Sequence, residues 1–156
     1  MNHYKFPVIN HINDVLPHIE GRKEFIVAER EDYDVINYMV SMFDTFDMTD
    51  ENDLGGAIRR ECRGIIFYKN GKIMSRPFHK FFNIGEREET QLHVMNMNKP
   101  HTIYDKRDGS MIRGLIVDGK LRLATKMGVT DIAEEAEKLL TKDQYDWLYT
   151  KICTGF

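Results

Sequence analysis

Cysteine is scarce: Cys62 and Cys153 are the only two in 156 residues, and neither sits in a metal-type spacing. That excludes a disulfide framework and a cysteine zinc site, and it leaves two free thiols of a reducing compartment. Long apolar runs are missing too. No stretch approaches the roughly 20 residues needed to cross a bilayer, and the opening "MNHYKFPVIN" has neither an apolar signal core nor a small-residue cleavage site. The expectation is a soluble, cytoplasmic protein. Repeats, low-complexity tracts and Pro/Gly/Ser linkers are also lacking, so one domain is expected over 1–156. His79 and His101 have no His, Cys, Asp or Glu at ligand spacing, and no metal-ligating residue is expected.

A strong field of one sign is absent as well. The formal net charge is -3, which argues against nucleic-acid binding over the whole surface. The distribution along the chain is uneven, however. From Glu24 to Asp53 ten carboxylates face the single Arg30, whereas from Arg59 to Lys80 seven Lys or Arg residues face the single Glu61. The acidic run reads as a solvated face. The basic run differs in kind, because its charges alternate with strand-like apolar residues and lead into Phe81 and Phe82.

Helical spacing in Ile12, Val15, Leu16 and Ile19 predicts a short helix ending at Gly21, curtailed by Pro17. "KEFIVA" (23–28) predicts a strand, and "YDVINYMVSMF" (33–43) fits a strand or a helix, with the strand favoured. "RGIIFY" and "KIMSRP" flank Asn70-Gly71, and "SMIRGLIV" and "KLRLAT" flank Asp118-Gly119, which predicts two hairpins and a mainly antiparallel sheet. Asp131 with Glu134 and Thr141 with Gln144 each read as a capping box opening a helix. The nine methionines read as core filler, and Tyr145 and Trp147 as packing residues. The order helix, sheet, helices gives an α+β fold.

The stretch "YDKRDGSMIRG" (104–114) sets Lys106 and Asp108 two residues apart, just before Gly109. Read as a strand, it puts both charges on one face, and the glycine lets a ligand or another backbone come close. A lysine amine becomes a nucleophile when burial or neighbouring cations make it easier to deprotonate. On these residues alone, a surface Lys–Asp pair with a glycine bulge is the simpler account. Two further blocks shift the balance: "ECRGIIFYKNGKIMSRPFHKFFN" (61–83) upstream and "LATKMG" (123–128) downstream.

The three blocks together resemble the nucleotidyltransferase domain of ATP-dependent RNA ligases, in particular the phage type that reseals broken tRNA. The K-x-D-G element is shared with DNA ligases and mRNA capping enzymes, whereas E-C-R-G and S-R-P-x-x-K-F-F-N point to the RNA ligase branch. The resemblance implies an α+β, ATP-grasp-like ligase domain that uses ATP and Mg²⁺ and acts on RNA, with the Arg59 to Lys80 stretch as the expected RNA contact and binding that weakens steeply as salt is raised. It implies that Lys106 attacks the α-phosphate of ATP to give lysyl-AMP, with Asp108 arranging the lysine or a metal's water shell. By the same resemblance Gly109 lies beside the nucleotide, Arg63, Lys80 and Lys126 contact it or its phosphates, and Phe82 packs on the adenine. The arginine common five residues after the lysine is replaced by Met111, a role left to Arg113 or Arg63.

The family continues with an acidic motif, a second glutamate, a pair of lysines and a C-terminal domain. The chain is therefore expected to be the N-terminal portion of such an enzyme, adenylylating weakly or not at all unless a second polypeptide supplies the rest. Phage origin would place it in the host cytoplasm. The alternatives are a non-catalytic nucleotide- or RNA-binding fragment, and a DNA ligase or capping-type enzyme.

Overall fold

Four of the six residues of β2 (Tyr33–Tyr38) are buried, because this strand has apolar neighbours on both of its faces. In the computed structural model, which describes residues 5–154, β2 lies between β1 (Phe25–Glu29) and β3 (Arg63–Tyr68), and β4 (Ile73–Ser75) completes a four-stranded sheet. Every pairing is antiparallel. Side chains alternate across a strand, so Ile36, Ile65 and Phe67 enter one apolar cluster with Ile9, Val15, Ile19 and Ile58. Tyr33, Val35 and Ile66 enter another with Leu115 and Ala124. Full burial of one such side chain contributes roughly 1.5–3 kcal/mol.

The first cluster is covered by α1 (Leu16–Ile19) and α2 (Leu54–Glu61). The predicted N-terminal helix is split into a 3-10 turn at Ile12–Asp14 and the single turn of α1, with Pro17 at its start. The second cluster is covered by a separate two-stranded sheet, β5 (Arg113–Val117) and β6 (Lys120–Ala124). Its outer side carries α3 (Asp131–Lys138) on β6 and α4 (Lys142–Thr154) on β5. Both hairpins turn where expected, with positive φ at Gly71 and at Asp118 and Gly119. The architecture is α+β and antiparallel, in two sheets rather than one.

Several expectations change. The segment around Lys106 and Asp108 is not a strand: residues 101–111 are exposed and carry no regular structure beyond a bend. A strand needs a partner for its backbone N–H and C=O groups, and none lies beside this segment among the described residues. The Asp131 box does not form either. Thr130 holds the cap position without a side-chain capping bond, and Glu134 accepts from Arg122 at 3.1 Å instead of reaching back. The Thr141–Gln144 box does form, with reciprocal bonds of 2.9 and 3.3 Å. Tyr145 accepts from the Leu121 N–H, but Trp147 is more than half exposed, as are Met39 and Met97 at about half, so these are not core residues.

The helix α2 was not anticipated. Its N-cap Asp53 accepts from the Gly56 N–H at 2.8 Å and from the Thr49 N–H at 3.0 Å. Burial alone would raise the Asp53 carboxyl, but these backbone donors outweigh it and hold the group below the usual carboxylate range. Asp53→Ala should cost about 1 kcal/mol. The cost should be full above the unfolded-state value and fade as pH falls through the depressed folded value, which denaturant titrations at two pH values will read.

Candidate nucleotide site

Two residues of β3, Arg63 and Gly64, lie opposite the single Asn37 of β2, so the ladder bulges there. The bulge changes which way Arg63 points. Strict alternation from Ile65 would aim it at α2, whereas the extra residue turns it to the face of Val35, Ile66 and Asn37. Gly64 can occupy the bulge because its φ is +92° and because a Cβ there would meet the Lys126 carbonyl oxygen at 2.6 Å and its Cα at 2.7 Å. The E-C-R-G block thus places an arginine by means of its glycine.

Around this bulge the chain gathers polar groups, buried at Asn37, half-buried at Arg63 and Arg113 and exposed at Lys126. Arg113, at the start of β5, donates from Nη2 to the Gly64 carbonyl. Asn37 is 1% exposed and donates from Nδ2 to the Met127 sulfur at 3.0 Å. Three buried atoms have no hydrogen-bond partner among the described residues: Asn37 Oδ1, Arg63 Nη1 and Arg113 Nε. Burial pulls the Arg113 guanidinium down to about 10, against a small opposing influence of Tyr33. The Arg63 guanidinium lies 5.0 Å from the Phe81 ring centre, and the Lys126 ammonium 5.1 Å from that of Tyr38. A buried donor or acceptor atom without a partner is costly unless a ligand or water completes its bonding.

A second group surrounds Phe82. The Lys80 N–H donates to the Arg60 carbonyl at 2.7 Å, which fixes the 76–83 segment against the end of α2. The Phe82 ring then has Arg60, Lys80 and Arg87 all within 5.0 Å of its centre, and Phe46 edge-on. Arg60 is paired with Glu89 and Arg87 with Asp47, while Lys80 has no ion pair among the described residues. Lys106 stands in neither group. Its ammonium makes no hydrogen bond or ion pair among the described residues, and Asp108 accepts only from the Gly109 N–H, at 3.0 Å. Gly109 has φ +127° and open space around it.

Residues 61–152 match the family model described as RNA ligase. The chain belongs to the RNA ligase family. It is 35% identical over 134 residues to a Thermovibrio ammonificans protein named "Putative RNA ligase", a match covering 85% of this chain and 33% of that one. It is 38% identical over 72 residues to RNA ligase 1 of Bacteriophage TS2126, covering 43% of this chain and 18% of the phage protein. The chain thus spans about a third of the first relative's length. Arg63, Lys80, Phe82, Lys106, Asp108, Gly109, Arg113 and Lys126 all lie inside the stretch matched to the RNA ligase family, and Asn37 lies outside it.

The structure brings Arg63 and Lys126 together at the bulge and Lys80 and Phe82 together beside α2. It leaves Lys106, Asp108 and Gly109 on an exposed segment joined to neither. Asn37 escaped the sequence reading. Its only signal is a polar residue in phase with Val35 inside the apolar run of β2.

The basic stretch of this RNA ligase family member is not a free basic face. Arg59 donates to the carbonyls of Thr45 and Asp47, Lys69 pairs with Asp34 and Arg76 with Glu61, in addition to the Arg60–Glu89 pair. Carboxylates of the acidic stretch, and others, thus absorb much of its charge. Only Arg63, Lys72 and Lys80 of the seven have no such anchor among the described residues. RNA bound through this face should therefore show a shallow salt dependence, with a log–log slope no steeper than about -2 at roughly 0.7 per phosphate contact. Fluorescence anisotropy of a labelled single-stranded RNA across a salt series measures it.

Proposed function

We propose that the chain carries the nucleotide-binding part of an ATP-dependent RNA ligase that joins RNA 3'-hydroxyl and 5'-phosphate ends. The observation that carries this reading is Arg63, turned by the Gly64 bulge to the face of the buried Asn37 with an unmet donor among the described residues, within the stretch matched to the family. Two guanidinium donors and a carboxamide acceptor without partners suit a nucleotide, which offers both kinds of group. Phosphoryl transfer needs positioning and positive charge more than any other device, and Arg63, Lys80 and Lys126 are available for it.

In the proposed first step the Lys106 amine, having given up a proton to solvent, attacks the α-phosphorus of ATP. A P–N bond forms, the P–O bond to pyrophosphate breaks, the bonded nitrogen sheds its extra proton to solvent, and pyrophosphate leaves with the charge. Asp108 would orient the lysine, and Phe82 would offer a face to the adenine. Mg²⁺ would neutralise phosphate charge, held by the phosphate oxygens, since no group of three or more His, Cys, Asp or Glu gathers among the described residues. Transfer of AMP to an RNA 5'-phosphate and sealing by a 3'-hydroxyl would follow, in repair of tRNA or another broken RNA, with a second polypeptide or further chain contributing to the site.

The exposure of Lys106 favours one competing reading, a nucleotide-binding module without turnover. Incubation with α-phosphate-labelled ATP and Mg²⁺, followed by a denaturing gel, separates the two. Label on the protein that is removed by acid and stable to base is the expected result. ATP binding without label would leave the binding module, and neither binding nor label would overturn both.

A further inference from the structure

One buried, unpartnered acceptor beside the bulge has been matched to a nucleotide in general but to no particular group of it. Asn37 sits in the middle strand of the sheet, 1% exposed, with its carboxamide nitrogen used on Met127 and its oxygen unpartnered among the described residues. Across the ladder, in direct register, is Arg63, whose Nη1 is a buried donor equally without a partner. The bulge at Gly64 puts both on the same face. An acceptor and a donor therefore stand side by side on neighbouring strands without bonding to each other.

An unsatisfied buried carboxamide costs stability, and an apolar side chain of similar size would avoid the cost. Its presence calls for a ligand that supplies a hydrogen. Phosphate groups cannot, because ionised phosphate oxygens only accept. A nucleoside can: the exocyclic amine of adenine adjoins a ring nitrogen acceptor, and a ribose hydroxyl both donates and accepts. We propose that Asn37 is a specificity-determining residue that accepts a hydrogen bond from an N–H or O–H of the nucleoside portion of the bound nucleotide, beside Arg63. The inference rests on the nucleotide reading above.

Calorimetric titration of the chain with ATP, inosine triphosphate, 2'-deoxy-ATP and 3'-deoxy-ATP tests it, on the wild type and on Asn37→Leu, with a thermal melt of each free protein. The expected result is that Asn37→Leu binds ATP at least tenfold more weakly yet melts no lower than the wild type, since it removes an unmet acceptor. The wild type should also bind one analogue at least tenfold more weakly than ATP. Loss on the inosine compound assigns the donor to the amine, and loss on a deoxy compound assigns it to that hydroxyl. A lowered melting temperature with unchanged ATP affinity would make Asn37 a purely structural residue and overturn the proposal. If Asn37→Leu does not fold, the wild-type series decides alone, and equal affinity for all four nucleotides overturns it. A wild type that binds no ATP defeats the nucleotide reading, and this inference with it.

Discussion

Lys106→Ala will abolish transfer of label from α-labelled ATP to the protein, by a factor of about 10³ or more, while ATP affinity stays within about threefold of wild type. The separation follows from where the groups stand. The polar cluster at the bulge is built by β2, β3, the start of β5 and the residues after β6, and no hydrogen bond or ion pair among the described residues joins Lys106 to it. Removing an exposed side chain with no hydrogen bond or ion pair among the described residues should leave stability within about 0.5 kcal/mol. The variant is thus a chemical knockout on an intact fold. Lys106→Arg should fail equally, because a guanidinium keeps its charge and is no nucleophile. Labelled Lys106→Ala protein in the gel assay would show that another amine is the acceptor.

Gly64→Ala will be the most damaging single-methyl change in the sheet. The added Cβ would lie 2.6 Å from the Lys126 carbonyl oxygen and 2.7 Å from its Cα, and neither backbone atom can swing aside as a side chain can. The residue would also carry a φ of +92°, which L side chains rarely adopt. Strain and clash together should cost roughly 3 kcal/mol or more, or about 6–12 °C in melting temperature for a chain of this size. Gly119→Ala is the control. It has a comparable positive φ of +72° but open space around it, so strain is its main penalty. Similar melting temperatures for the two variants would mean that the β3 bulge is more pliant than its contacts indicate. In Gly64→Ala molecules that do fold, ATP affinity should fall as well, since Arg63 can face the pocket only through the bulge.

Turn chemistry was the most readable part of the fold. Asn70-Gly71 and Asp118-Gly119 marked both hairpins because the positive φ angles they adopt depend on so few residue types. The helix α2 was not legible, since Gly55 and Gly56 at its start are poor helix formers. Gly56 is there for packing, since a Cβ would meet Met48 at 2.7 Å and the Asp47 carbonyl at 2.9 Å, and no local pattern announces that need. The pocket was half legible. The E-C-R-G block named Arg63, yet the reason for its glycine lies in Lys126, more than sixty residues away. Strand character around Lys106 was misread because pairing is non-local, and the alternation of Lys106 and Asp108 carries no information about whether a partner strand exists. The basic run misled for the same reason, since Asp34, Glu61 and Glu89 meet it only in the fold.

The last long-range anchors before β5 are the Arg60–Glu89 and Arg87–Asp47 pairs. From Gln91 to Ile112, the hydrogen bonds among the described residues are local, such as Val94 to Gln91 and Lys99 to Asn96. Lys106 therefore stands on a leash fastened at both ends. Under the proposed function, its encounter with a nucleotide at the bulge would follow polymer statistics: an effective concentration on the order of millimolar, set by the span of the leash and independent of how much protein is present. Because the entropy of closing such a loop grows only logarithmically, doubling its length would cost about 0.6 kcal/mol. Lengthening the segment would therefore leave the proposed encounter nearly unchanged, provided the amine it carries can still reach the bulge.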